Sequence, residues 1–111
     1  MSKLARLALA LLPAAAVAHA ASTAGAQDAV QRGRDMAERL CAVCHLAEGQ
    51  GEKNGPRGIP SFRAVANRPH QRIEDVLAWL RSVPPMMPNH HLTQDEIGAL
   101  AAFIMSLRKA G

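Results

Sequence analysis

The stretch Cys41-Ala42-Val43-Cys44-His45 decides how the rest of the chain is read. It places two cysteines three residues apart, with a histidine directly after the second. On a helix, positions i, i+3 and i+4 project from one face. Both thiols therefore reach one edge of a flat cofactor while the His45 imidazole lies beneath its centre. This spacing is the attachment signature for covalent haem, with a thioether at each cysteine and the imidazole as proximal iron ligand. Two other readings compete for the same residues. A thioredoxin-like redox pair belongs near a βαβ pattern, and the sequence shows none. A closed zinc site needs four ligands as a rule, and the chain has no further cysteine.

Upstream, Val30, Gly33, Ala37, Leu40, Cys41 and Cys44 recur at helical spacing. An amphipathic helix is expected to run into the motif, with Asp28 as its N-cap. Gly33 costs that helix about 1 kcal/mol relative to alanine, a cost that makes sense where a second helix approaches closely. Downstream, residues 46–60 turn to Gly, Glu, Lys, Asn and Pro and read as a loop. A ligating histidine normally gives its second N–H to a carbonyl or carboxylate. Pro56 and Pro60 both offer a carbonyl in stiff backbone, and Pro60 is preferred because Phe62 two residues on is placed to line a haem pocket.

Ser61 is expected to cap a short helical turn through Phe62, Val65 and Ala66 that ends at Asn67-Arg68-Pro69. Ile73, Val76, Leu77 and Leu80 then share one helical face, with Trp79 beside them. The Trp79 ring suits a haem edge, and its indole N–H suits a propionate. Next, Ser82-Val83-Pro84-Pro85-Met86-Met87-Pro88-Asn89 forms a stiff strap that no helix can cross. A methionine sulfur from it would fill the far side of the iron. Neighbouring side chains in extended backbone point opposite ways, so one methionine faces in and one out. Local physics leaves the choice between Met86 and Met87 open. Thr93 and Glu96 make a capping box for a last helix over about 94–109, striped by Ile97, Leu100, Phe103, Ile104 and Leu107. Met36 and Met105 lie on helices as packing residues rather than ligands, and no strand pattern appears.

The start of the chain has a different character. Lys3 and Arg6 precede an apolar run from Leu7 to Val17, followed by Ala18-His19-Ala20 and Ala24-Gly25-Ala26. Both tripeptides fit the rule for signal cleavage. The apolar run is about half of the roughly 20 residues a membrane-spanning helix needs, and Pro13 interrupts it. Residues 1–26 are therefore expected to be a cleaved signal peptide and 27–111 a monohaem domain, exported to the periplasm with no stable membrane insertion. Covalent haem attachment follows export in bacteria, so the two signals agree.

The formal net charge of +4 overstates the basicity of the exported part. Of the 13 basic residues, Lys3 and Arg6 leave with the leader, so 11 face 9 acidic ones. Haem propionates would bring that balance near zero. No Lys/Arg run or aromatic-interleaved basic patch is present, so nucleic acid is not an expected partner. Arginines 57, 63, 68, 72 and 81 read as a solvated surface, some of it suited to docking an acidic redox protein. Only three aromatic residues, Phe62, Trp79 and Phe103, are available to a core. A buried porphyrin would supply the missing apolar mass, and the apoprotein is expected to fold poorly.

Across residues 27–111 the chain resembles the small class I cytochrome c family. The matching features are a first helix with Gly33, Cys41-x-x-Cys44-His45, Pro60-Ser61-Phe62, a middle helix with Trp79, Met87-Pro88, and a last helix with Phe103. The resemblance implies an all-α, cytochrome c-like fold of three or four helices packed around one covalently bound haem c. It implies iron held by His45 and Met87, the latter as the methionine of a Met-Pro step before the last helix. It also implies that Pro60 accepts the His45 N–H and that Gly33 meets Phe103. The cofactor-binding set is then Cys41, Cys44, His45, Pro60, Phe62, Trp79 and Met87. The Met86-Met87 doublet and the His90-His91 pair depart from the family pattern; the two histidines are expected to lie exposed ahead of the last helix, the alternative being that one ligates the iron in place of methionine and gives a bis-histidine haem of lower potential.

The function expected from this is that of a soluble, monomeric one-electron carrier. Its partners would be redox proteins: a dehydrogenase or membrane respiratory complex as donor, and an oxidase or other acceptor. No nucleophile–base or acid pair suggests an enzyme. The alternatives are a haem c subunit of a larger periplasmic dehydrogenase complex, and a gas-binding or sensor haem protein whose distal site opens.

Overall fold

The computed structural model describes residues 13–45 and 58–110. Most of the Gly/Pro loop, with Pro56 and Arg57, and the first 12 residues of the chain lie outside the described residues. Four helices follow one another: α1 (Pro13–Leu40), α2 (Phe62–Ala66), α3 (Ile73–Ser82) and α4 (Gln94–Ser106). No strand occurs among the described residues, and the fold is all-α as expected. No described helix is long and apolar enough to cross a membrane.

Helix α1 is longer than its apolar periodicity implies. It spans 28 residues, about 42 Å at 1.5 Å per residue. Asp28 therefore sits inside the helix rather than capping it, and its carboxylate accepts from Arg32 Nε one turn on at 3.1 Å. The reason is local: alanines 14, 15, 16, 18, 20, 21, 24 and 26 carry the highest helix propensity of any residue, so nothing stops the helix at Asp28. Residues 23–28 are exposed, and burial begins only around Ala29 and Val30.

The core forms where α1 lies across α4. Gly33 is buried at the crossing. A Cβ there would overlap the Ala99 carbonyl oxygen and stand 2.6 Å from the carbonyl carbon and 2.8 Å from Phe103 Cβ. Ala37, Leu100, Ala101, Phe103 and Ile104 are all at most 2% exposed around this contact. The other helices also pack against α4: Val76 carries α3 into the core, with Leu77 and Leu80 beside it, and Phe62 carries α2. Ile73, read as part of the same stripe, is 37% exposed, because it lies in the first turn of α3, away from the burial centred on Val76.

The caps match their sequence signals. Ser61 Oγ accepts from Ala64 N–H at 3.1 Å at the start of α2. Thr93 and Glu96 exchange reciprocal bonds at 3.2 and 2.7 Å at the start of α4. α4 ends at Ser106 rather than near 109 because a side chain captures the tail. Asn67 Nδ2 donates to Leu107 O at 3.2 Å and to Arg63 O at 2.8 Å, while its Oδ1 accepts from Lys109 N–H at 2.9 Å. Arg108 donates to Gln71 O at 2.7 Å beside it. Asn67→Ala is expected to cost about 1–2 kcal/mol in chemical denaturation and to speed hydrogen exchange at the Lys109 amide. Unchanged exchange there would contradict the latch.

Candidate haem-attachment site

The chain stays coiled for one turn beyond α1. Cys41 and Ala42 N–H groups both reach Ala37 O at 2.9 Å, Cys44 N–H reaches Cys41 O at 3.1 Å, and His45 N–H reaches Cys41 O at 2.8 Å. This winding holds Cys41, Cys44 and His45 within a single turn. Both thiols are partly buried and no disulfide joins them, while Val43 between them is 81% exposed. Burial pushes the Cys41 thiol above its ordinary range.

His45 is oriented by backbone. Its Nδ1 lies 2.9 Å from Pro60 O. A carbonyl only accepts, so Nδ1 carries the hydrogen and Nε2 of the neutral ring keeps its lone pair for a metal. The imidazole stacks on Phe62 with centroids 5.1 Å apart and planes 7° from parallel. Phe62 in turn meets Phe103 edge-on at 6.3 Å. The capped turn that starts at fully buried Ser61 thus fixes both the carbonyl and the ring that position His45.

A cavity of about 190 Å³ lies between the end of α1 and the strap, with Cys41 on one wall and Met87 on another. Leu80, Ile97 and Leu100 supply its apolar lining. Cofactor pockets usually run from about 300 Å³ upward, so these walls would hold part of a porphyrin rather than all of it. Apolar walls, two thiols on one turn, an imidazole with its metal-binding nitrogen free and a thioether on the strap form a donor set that fits haem. Among the described residues no group of three or more His, Cys, Asp or Glu is arranged to hold a bare metal ion.

The strap distinguishes its two methionines. Met86 is 94% exposed, whereas Met87 is partly buried on the cavity wall. Met87 N–H closes a turn on Pro84 O at 3.1 Å. Val83 and Met86 have left-handed backbone, with φ of 46° and 76°. That region disfavours side-chain-bearing residues, β-branched ones most of all, and the conformation throws the two methionines to different sides.

The structure thus groups His45, Pro60 and Phe62, and separately places Cys41 and Met87 on one cavity. Trp79 stands apart from that wall. It is 49% exposed, and the Arg68 guanidinium covers its ring at 4.8 Å. Several cavity residues carry no site signal in the sequence. Leu80, Ile97 and Leu100 read as ordinary helix stripe. Arg81 reads as solvated surface, yet it lines the cavity and its Nε donates to Gln94 Oε1 at 3.0 Å. His90 and His91 are exposed, as expected, and also border the cavity. No spacing or composition marks such residues as site residues, because only the packing of α3, α4 and the strap brings them to one cavity.

The sequence comparisons agree with this geometry. The family model described as Cytochrome c matches residues 30–108, from the Val30 turn of α1 to the tail latch. Cytochrome c-552 of Bradyrhizobium diazoefficiens is 41% identical over 93 residues, covering 84% of this chain and 88% of that protein. No solved structure matches the chain. With the Cys-x-x-Cys-His turn and its partners in place, the chain belongs to the cytochrome c family: it carries haem c covalently through Cys41 and Cys44 and is an electron-transfer protein rather than an enzyme.

Proposed function

We infer that the protein is a soluble one-electron carrier whose iron is held by His45 and Met87. The observation that carries this reading is the sorting of the strap: Met87 faces the cavity shared with Cys41, while Met86 is turned to solvent. When bound, haem c supplies the Fe(III)/Fe(II) couple. His45 would be one ligand to its iron, in the orientation that Pro60 O and Phe62 impose. A hydrogen bond at Nδ1 also raises the basicity of Nε2. The Met87 thioether would be the second ligand and would favour the reduced state, raising the potential. With both ligands supplied by side chains, the iron would be closed to substrate.

Exposed Val43 between the thioether positions and exposed Met86 on the strap border this site with apolar surface. That surface suits brief contact with a dehydrogenase or membrane respiratory complex as donor and an oxidase or other acceptor. We place the protein in the periplasm after removal of residues 1–26. Residues 23–28 are exposed and the core begins beyond them, so cleavage after Ala20 or Ala26 leaves the packing at Gly33 untouched. N-terminal sequencing of the secreted protein tests that boundary.

Visible spectra and redox titration of Met86→Ala and Met87→Ala test the ligand assignment. Met87→Ala is expected to lose the weak far-red sulfur-to-iron band of the oxidised form and to fall in potential. Met86→Ala is expected to keep both. The reverse pattern would move the ligand to Met86, and no far-red band in the wild type would remove methionine ligation altogether.

A further inference from the structure

Two histidines border the same cavity as Met87. His90 and His91 follow it by three and four residues, and the cavity wall includes both together with Met87 and Cys41. Their rings have no hydrogen-bond partner among the described residues, whereas the His45 ring is committed to Pro60 O. The backbone that carries them is lightly held. Pro88 has no N–H to donate, and from Pro88 to Leu92 no backbone–backbone hydrogen bond forms among the described residues. A single local bond, His91 N–H to Asn89 Oδ1 at 2.9 Å, shapes the bend, with His91 in the left-handed region at φ 51°. Both ends are fixed. Met87 N–H is bonded to Pro84 O before the segment, and the Thr93–Glu96 capping box fixes the chain after it.

A tethered, weakly bonded segment with two uncommitted imidazoles beside a haem cavity is suited to ligand replacement. Imidazole nitrogen is itself a standard axial ligand of haem iron. We propose that the His90–His91 pair is a reserve ligand: when the Met87 sulfur is lost, one of these imidazoles fills the distal position. The inference rests on the reading of Met87 as the resident ligand. Its consequence is that damage at Met87 lowers the potential while keeping the iron six-coordinate and closed to small molecules. Peroxide supplies a natural route to such loss. It transfers one oxygen to the thioether, giving the sulfoxide, and is itself reduced to water.

The test uses the holoprotein with Met87→Leu, which keeps apolar volume at the strap, and Met87→Ala as a second variant. Electron paramagnetic resonance and near-infrared magnetic circular dichroism of the oxidised form read the axial ligands directly. The expected result is a low-spin, bis-nitrogen signature in either Met87 variant, with a lowered potential. Adding His90→Ala and His91→Ala to Met87→Leu should convert it to high spin and open it to rapid carbon monoxide binding when reduced. Single histidine variants in the same background show which ring binds. High-spin iron in both Met87→Leu and Met87→Ala, while the wild type keeps its far-red band, overturns the reserve ligand and leaves the carrier reading intact. Low-spin iron that survives removal of both histidines also overturns it. A wild type without the far-red band overturns methionine ligation and the reserve together.

Discussion

Gly33→Ala is expected to destabilise the holoprotein by about 3 kcal/mol or more, toward and beyond the upper end of the usual cost of overpacking a core. The new methyl group has no room. It would overlap the Ala99 carbonyl oxygen and sit 2.6 Å from the carbonyl carbon and 2.8 Å from Phe103 Cβ. Two of the three obstacles are backbone of α4, so no side-chain rotation relieves the clash. The helices must separate, and that opens the packing around Ala37, Leu100 and Phe103, all nearly inaccessible to water. For a domain of this size each kcal/mol moves the melting temperature by roughly 4–8 °C, so the expected fall exceeds about 10 °C. Gly98→Ala is the matched control. It lies on the same α4 with nothing within 4 Å of the place its new methyl group would take, and it is expected to gain up to about 1 kcal/mol of helix propensity. Thermal melts of the two variants should therefore move in opposite directions. A Gly33→Ala loss below about 1 kcal/mol would mean that α1 and α4 do not cross there in solution.

Replacing both attachment cysteines, Cys41→Ala with Cys44→Ala, is expected to yield an exported chain without covalent colour and without a cooperative unfolding transition. The buried set explains why. Four of its members, Ala37, Ala66, Ala99 and Ala101, are alanines, and only Phe62 and Phe103 are buried aromatics. A domain of about 85 residues, the size the proposed boundary at residue 27 would give, has a large surface for its volume and a core that supplies only a few kcal/mol. A cofactor that binds only the folded state adds its binding free energy to folding. Without it, Leu80, Ile97 and Leu100 line a cavity rather than a filled interior. Far-ultraviolet circular dichroism during heating provides the check. A sigmoidal melt with wild-type helicity would show that the protein core suffices alone.

The parts legible in the sequence are those governed by short-range rules. The Cys41–His45 turn, the Ser61 and Thr93 caps and the apolar stripe of α4 each depend on residues within one or two helical turns. Gly33 is readable as a close approach because glycine in a helix needs a compensating reason. What escapes such reading depends on chain geometry between elements. Left-handed backbone at Val83, Met86 and His91 has no signature, since none of these is glycine, yet it decides which side chains border the cavity. The half-exposed position of Trp79 under Arg68 follows from the packing of α3 on α4. The true start of α1 is invisible to apolar periodicity, because alanine extends a helix without marking a buried face.

Under the proposed removal of residues 1–26, the uninterrupted α1 would give Asp28 two successive electrostatic roles. In the unprocessed chain its charge lies mid-helix, where neither end of the macrodipole acts on it strongly. Cutting after Ala26 would bring the amino end of the helix to its doorstep, so the same carboxylate would face exposed backbone N–H groups and the new α-ammonium. An anion in that place resists fraying. Maturation would thus reassign a surface side chain to terminal support without moving a single core contact.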